Sequence, residues 1–227
     1  MSSHATAIDK FVDYFHEQGL KIDQVNSLLY RKVLYATALD PVARAAFGNE
    51  ETHRNRVCRV LAELAGWPYA DRVSLPQLCM ALLEGDLESS PLYANARGRL
   101  NHWPSGHVLT VNGSPKLSEL SHLATDKRST EILYSCQYVP LFYTYRNNLV
   151  HEFREPGYGM EMSSDGSQPY YHSMSNPEGD DSWELVFPVG FFSKIYSGAL
   201  KGLKEYLLKA DVDPYDRFNF GSRWRAK

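Results

Sequence analysis

Arg146, Asn147 and His151 fall within one run of six residues, Arg146-Asn147-Asn148-Leu149-Val150-His151. An imidazole with a pKa near about 6.5 can take or give a proton at cellular pH. A guanidinium stays charged and matches phosphate oxygens with a fork of donors. An amide one helical turn from the imidazole can orient it. Together these groups suit metal-independent RNA cleavage, in which the 2′-hydroxyl attacks its own phosphate and leaves a 2′,3′-cyclic end. DNA lacks that hydroxyl and would be inert.

Spacing alone is weak. Arg97 and His102 repeat the five-residue interval, but Gly98 and Pro104 flank them and argue for a helix end. Requiring Asn directly after Arg lowers the chance expectation to roughly 0.02 occurrences in a chain of this composition, and only the segment at Arg146 meets it. On an α-helix at about 100° per residue, Asn147 and His151 share a face, while Arg146 and His151 diverge by about 140° and Arg146 lies on the shoulder. One helix therefore makes half a site. A two-fold axis would bring the Arg146 of one protomer toward the His151 of its partner. Arg154, one turn beyond His151, is a further candidate for phosphate contact. The same residues can also be read as a solvated polar face with Leu149, Val150 and Phe153 turned inward.

The hexapeptide, its aromatic lead Leu141-Phe142-Tyr143-Thr144-Tyr145, the following Glu152-Phe153-Arg154-Glu155-Pro156-Gly157 and the run Trp183 to Phe192 resemble the HEPN superfamily of small helical domains. Many of its members are prokaryotic ribonucleases of toxin–antitoxin, phage-defence and plasmid systems. The likeness covers roughly residues 130 to 210. It implies a mainly α, HEPN-like helical bundle with a small antiparallel β-sheet inserted after the motif helix. It also implies a homodimer with Arg146, Asn147 and His151 at the two-fold interface, RNA as substrate, and a nucleotidyltransferase-type antitoxin as a candidate partner. The fold also serves non-catalytic nucleotide-, RNA- or protein-binding modules, so fold alone does not fix function.

The elements that must position these residues follow from hydrophobic period. Ile8, Phe11, Val12 and Phe15 mark a first helix over 5–18 that Gly19 ends. A second helix runs from about 22 to 39, and Pro41 opens a short third piece. Further helices are expected at 50–65, 74–84 and 88–100. A loop at 101–116 holds a short extended piece, 107–111, followed by a long helix over 127–154 kinked at Pro140. Residues 159–162, 169–174 and 183–187 suit strands of a β insertion at about 157–188. His172, on the second of these strands between Tyr171 and Ser173, can be read as a contributor to a site near His151 or as a strand-surface polar group. A last helix covers 189–209, and a basic, aromatic tail covers 211–227. In that tail Arg217, Arg223, Arg225 and Lys227 alternate with Phe218, Phe220 and Trp224. Such a tail can hold single strands, or pack its rings on the bundle and leave its charges in water.

Composition bounds the rest. At 227 residues with 43% hydrophobic content, a single domain spanning 1–227 is expected. The start of the chain lacks an apolar leader and no run of about eighteen apolar residues occurs, so a cytoplasmic protein without a membrane partner is expected. Cys58, Cys79 and Cys136 are odd in number and set among apolar residues, which suits buried thiols. His102 and His107 alone are too few to hold a metal, and no cofactor motif is present. The net charge of −3 lacks the basic signature of strong phosphate binding.

Overall fold

The computed structural model describes residues 3–104, 106–161, 166–174 and 182–218. It is mainly helical with one three-stranded antiparallel sheet, as the period of the sequence predicts. The chain divides into two compact units, Met1–Trp67 with Phe192–Lys227, and Pro68–Phe191.

The first unit holds α1 (Ala5–Asp23), α2 (Leu28–Phe47), α3 (His53–Arg59) with a π turn at Val60–Leu64, most of α9 (Val189–Ala210), and α10 (Pro214–Arg217). Two expected breaks are absent. Gly19 lies inside α1, where a side-chain carbon would come within 2.9 Å of the Tyr196 ring; it is a packing glycine rather than a stop. Pro41 lies inside α2. The buried stripe Leu39, Val42, Ala43 and Ala46 continues across it, and that packing outweighs the lost backbone bond.

At the end of this unit the rings of Tyr215 and Phe218 meet Phe11 edge-on at 5.8 and 5.7 Å, and the Arg217 guanidinium donates to the Ala46 carbonyl. The start of the basic, aromatic tail thus packs on the bundle. Phe220, Arg223, Trp224, Arg225 and Lys227 lie outside the described residues.

The second unit holds α4 (Leu75–Glu84), α5 (Pro91–Leu100), α6 (Leu117–Leu120), α7 (Lys127–Ser135), α8 (Tyr138–Asn147) and the sheet. Leu78, Leu82, Leu92, Leu120 and Leu133 form one buried core with Cys79 and Cys136. The sheet runs β1 (Val108–Thr110), β2 (Tyr170–Met174), β3 (Ser182–Val186) in that order. Leu109 pairs with Tyr171, and Tyr171 with Leu185. The third strand is therefore the extended piece before the motif helix; of the expected strand 159–162, residues 159–161 form no strand and Met162 lies outside the described residues. Met160 explains the difference: its N–H goes to His172 Nε2 at 3.0 Å and its carbonyl accepts the Tyr170 hydroxyl at 3.1 Å. That segment lies over the sheet, held by side chains, and adds no strand.

The expected helix over 127–154 is two helices. At Cys136 to Tyr138 the backbone bonds residues 72–74 instead: Ser74 N–H to the Cys136 carbonyl at 2.9 Å and Tyr138 N–H to the Arg72 carbonyl at 3.0 Å. Pro140 then sits in the first turn of α8, where its missing N–H costs nothing, so no kink arises there. Among the described residues no helix is long and apolar enough to cross a membrane.

Candidate functional site

The motif occupies the end of α8 and the π turn that follows it at Asn148–Glu152. Tyr138, Phe142 and Tyr145 are buried along α8 and Leu149 in the turn after it, and Arg146, four residues after Phe142, falls on the same stripe. Arg146 is 3% exposed, not on an open shoulder as straight helical geometry predicts. Its Nη1 donates to the side-chain oxygen of Asn147 at 3.1 Å.

Past Asn147 the phase changes. A π turn closes i→i+5 bonds and fits an extra residue into the turn, so later side chains rotate relative to the α-helical stripe. Leu149 stays buried, Val150 is half-buried, and Phe153, expected inside, is 53% exposed. The Asn148 side chain donates to the Thr144 carbonyl at 3.0 Å, which satisfies an acceptor near the end of the α register. Phe153 ends the element in the left-handed region, φ 57°, with its N–H on the Asn148 carbonyl.

His151 is exposed. Among the described residues neither of its ring nitrogens makes a hydrogen bond, and Asn147 holds the guanidinium rather than the imidazole. Arg154 is exposed and pairs with Glu152 at 2.5 Å, a surface pair of small energetic weight. The structure therefore brings Arg146 and Asn147 together and leaves His151 and Arg154 open to solvent. His172 is 6% exposed on β2, and its Nε2 accepts the Met160 N–H. That ring is a fastener between sheet and overlying segment. His102 Nδ1 lies 2.7 Å from the Gly98 carbonyl, one turn back at the end of α5. Among the described residues no three His, Cys, Asp or Glu side chains gather as metal ligands.

Two features of this unit have no signal in the sequence. Four hydroxyls from four segments form a buried chain: Ser114 Oγ to Tyr138 OH at 2.6 Å, Tyr138 OH to Tyr171 OH at 2.7 Å, and Tyr171 OH to Ser74 Oγ at 2.7 Å. Ser74 in turn donates to Gln77 Oε1. Burial pushes the Tyr138 and Tyr171 phenols well above the usual range, so both stay neutral and the chain acts as a clasp between α4, α8 and β2. The second is a cleft of about 760 Å³ lined by one face of α8 (Leu141, Thr144, Tyr145), by residues 156–158 and by β3. Burial, and then the adjacent Glu155 carboxylate, raise the Tyr145 phenol, which donates to Glu155. The motif residues themselves do not line this cleft. No family model, curated protein or solved structure matches the chain.

Proposed function

We propose that this chain is a metal-independent endoribonuclease of HEPN type, working as a homodimer in the cytoplasm within a toxin–antitoxin or phage-defence system, with RNA as substrate. The observation that carries the reading is the π turn at Asn148–Glu152, which presents an exposed His151 five residues after a guanidinium that donates to Asn147. The π turn re-aims the side chains that follow α8.

In this reading His151 is the general acid or base, taking the proton of the attacking 2′-hydroxyl or returning one to the departing 5′-oxygen. Arg146 stabilises charge on the phosphorane, which requires its guanidinium to become accessible when a second protomer or RNA docks. Asn147 positions that guanidinium. Arg154 contacts a neighbouring phosphate after releasing Glu152, a weak pair to break. A nucleotidyltransferase-type antitoxin would keep such an activity silent in its host.

The test is cleavage of an RNA oligonucleotide in excess chelator. The parent is expected to leave 2′,3′-cyclic phosphate ends, and His151→Ala to slow the reaction by about 100-fold or more. Equal rates for parent and variant would remove His151 from the mechanism.

A second reading is favoured by one observation, the 3% exposure of Arg146. A guanidinium that stays buried serves the fold, and the chain is then a HEPN-like binding module without catalysis. That reading expects no cutting by the parent itself.

A further inference from the structure

The cleft beside α8 carries an inference independent of the reading of Arg146 and His151. Ser182, Trp183, Glu184 and Leu185 all line it. Side chains of consecutive strand residues point to opposite faces of a sheet, so four in a row bordering one cleft fit a cleft that runs along the edge of β3. β3 is the outer strand, paired with β2 alone. In an antiparallel pair, alternate residues direct N–H and C=O away from the partner strand, and among the described residues nothing bonds those groups of β3. The cleft thus combines apolar walls, with Met80 and Tyr158 exposed by 55% and 79%, and a row of unpaired main-chain donors and acceptors.

Glu184 adds a charge. Its carboxylate accepts the Tyr158 N–H at 3.2 Å and the Ser182 hydroxyl at 3.0 Å, which leaves acceptor positions unused, and among the described residues no cation pairs with it. An anionic RNA backbone would be repelled there. A planar base offers no ladder of main-chain partners.

We propose that this cleft binds an extended segment of a partner protein as a fourth strand on β3, with apolar side chains at alternate positions and a lysine or arginine facing Glu184. Strand addition draws affinity from main-chain hydrogen bonds and selectivity from alternating side-chain pockets.

The test selects a displayed library of random eight-residue peptides on the full-length chain. Thr144→Trp, an exposed position expected to fill the cleft without unfolding the unit, serves as the counter-target. Enriched peptides should alternate apolar residues around one basic residue. A synthetic copy should bind about 10-fold more weakly to Thr144→Trp, and several-fold more weakly to Glu184→Gln. N-methylation at alternate residues should abolish binding in one register and spare it in the other. The proposal is overturned if no sequence is enriched over Thr144→Trp, or if N-methylation in neither register matters. It also falls if a single-stranded RNA oligonucleotide displaces the peptide by occupying the cleft, or if the parent is a dimer that Thr144→Trp dissociates, since the occupant would then be a second copy.

Discussion

Phe153 adopts φ 57°, a region where a residue with a Cβ costs about 1–2 kcal/mol unless a short polar side chain offsets it. The residue is 53% exposed, so burial returns only part of that cost. Phe153→Asn, which keeps the left-handed cap and tolerates it, should raise unfolding free energy by about 0.5–1 kcal/mol. Denaturant melts of parent and variant decide the matter, and a loss of similar size would mean that the ring's contacts outweigh the strain. The identities of the candidate residues were legible in the sequence because side-chain chemistry travels with residue type. Their environments were not. Arg146 is buried because it stands four residues after Phe142 on a stripe that a charge disguises, and Phe153 is exposed because a π turn shifts the phase of everything after Asn147.

At the scale of elements, apolar period located most of the helices, and it failed where backbone meets backbone. Gly198 and Gly202 lie one turn apart on α9, and a side-chain carbon on either would come within 2.3 or 2.2 Å of the carbonyl oxygens of Ala65 and Leu64. The π turn at Val60–Leu64 and its cap therefore rest directly on the α9 backbone, a contact that hydrophobic periodicity cannot reveal because glycine contributes no apolar side chain. Gly98 in α5 has open space where its side chain would be. The same substitution should thus have opposite signs in two helices. Gly98→Ala should stabilise by about 0.5–1 kcal/mol through helix propensity alone. Gly202→Ala has that gain too, but must displace backbone and should lose about 1–2 kcal/mol net. For a chain of this length each kcal/mol moves the melting midpoint by about 2–4 °C. A Gly202→Ala protein as stable as the parent would show that α9 does not approach the π turn so closely. Strand assignment failed for a related reason: the expected strand 159–162 has apolar alternation, but the backbone of Met160 bonds the side chains of His172 and Tyr170, a choice made by tertiary neighbours and not by local sequence.

At the scale of the whole molecule, the three thiols report on both compact units. Cys79 and Cys136 are 4% and 3% exposed in the core of the second unit, and burial pushes both thiols up to about 11. Cys58 belongs to the first unit and is half-buried, its thiol raised by burial against the pull of Arg54. At pH 8 a thiol titrating at about 11 is ionised in about one molecule per thousand, against about a quarter for an ordinary one near 8.5. Only the thiolate attacks a disulfide reagent, so the native protein at pH 8 should release at most one equivalent of thiol on mixing, slowly and from Cys58, whereas the denatured chain should release three. Because Cys79 and Cys136 share one core, they should become reactive together along a urea gradient, and mass spectrometry of labelled peptides would locate each. Cys58 gives a separate reading: reactivity at lower urea than the buried pair means the units open independently, and a single midpoint for all three means they unfold as one. Rapid labelling of Cys79 or Cys136 in native buffer would contradict the packing of the second unit, and with it the support that core gives to α8 and the motif at its end.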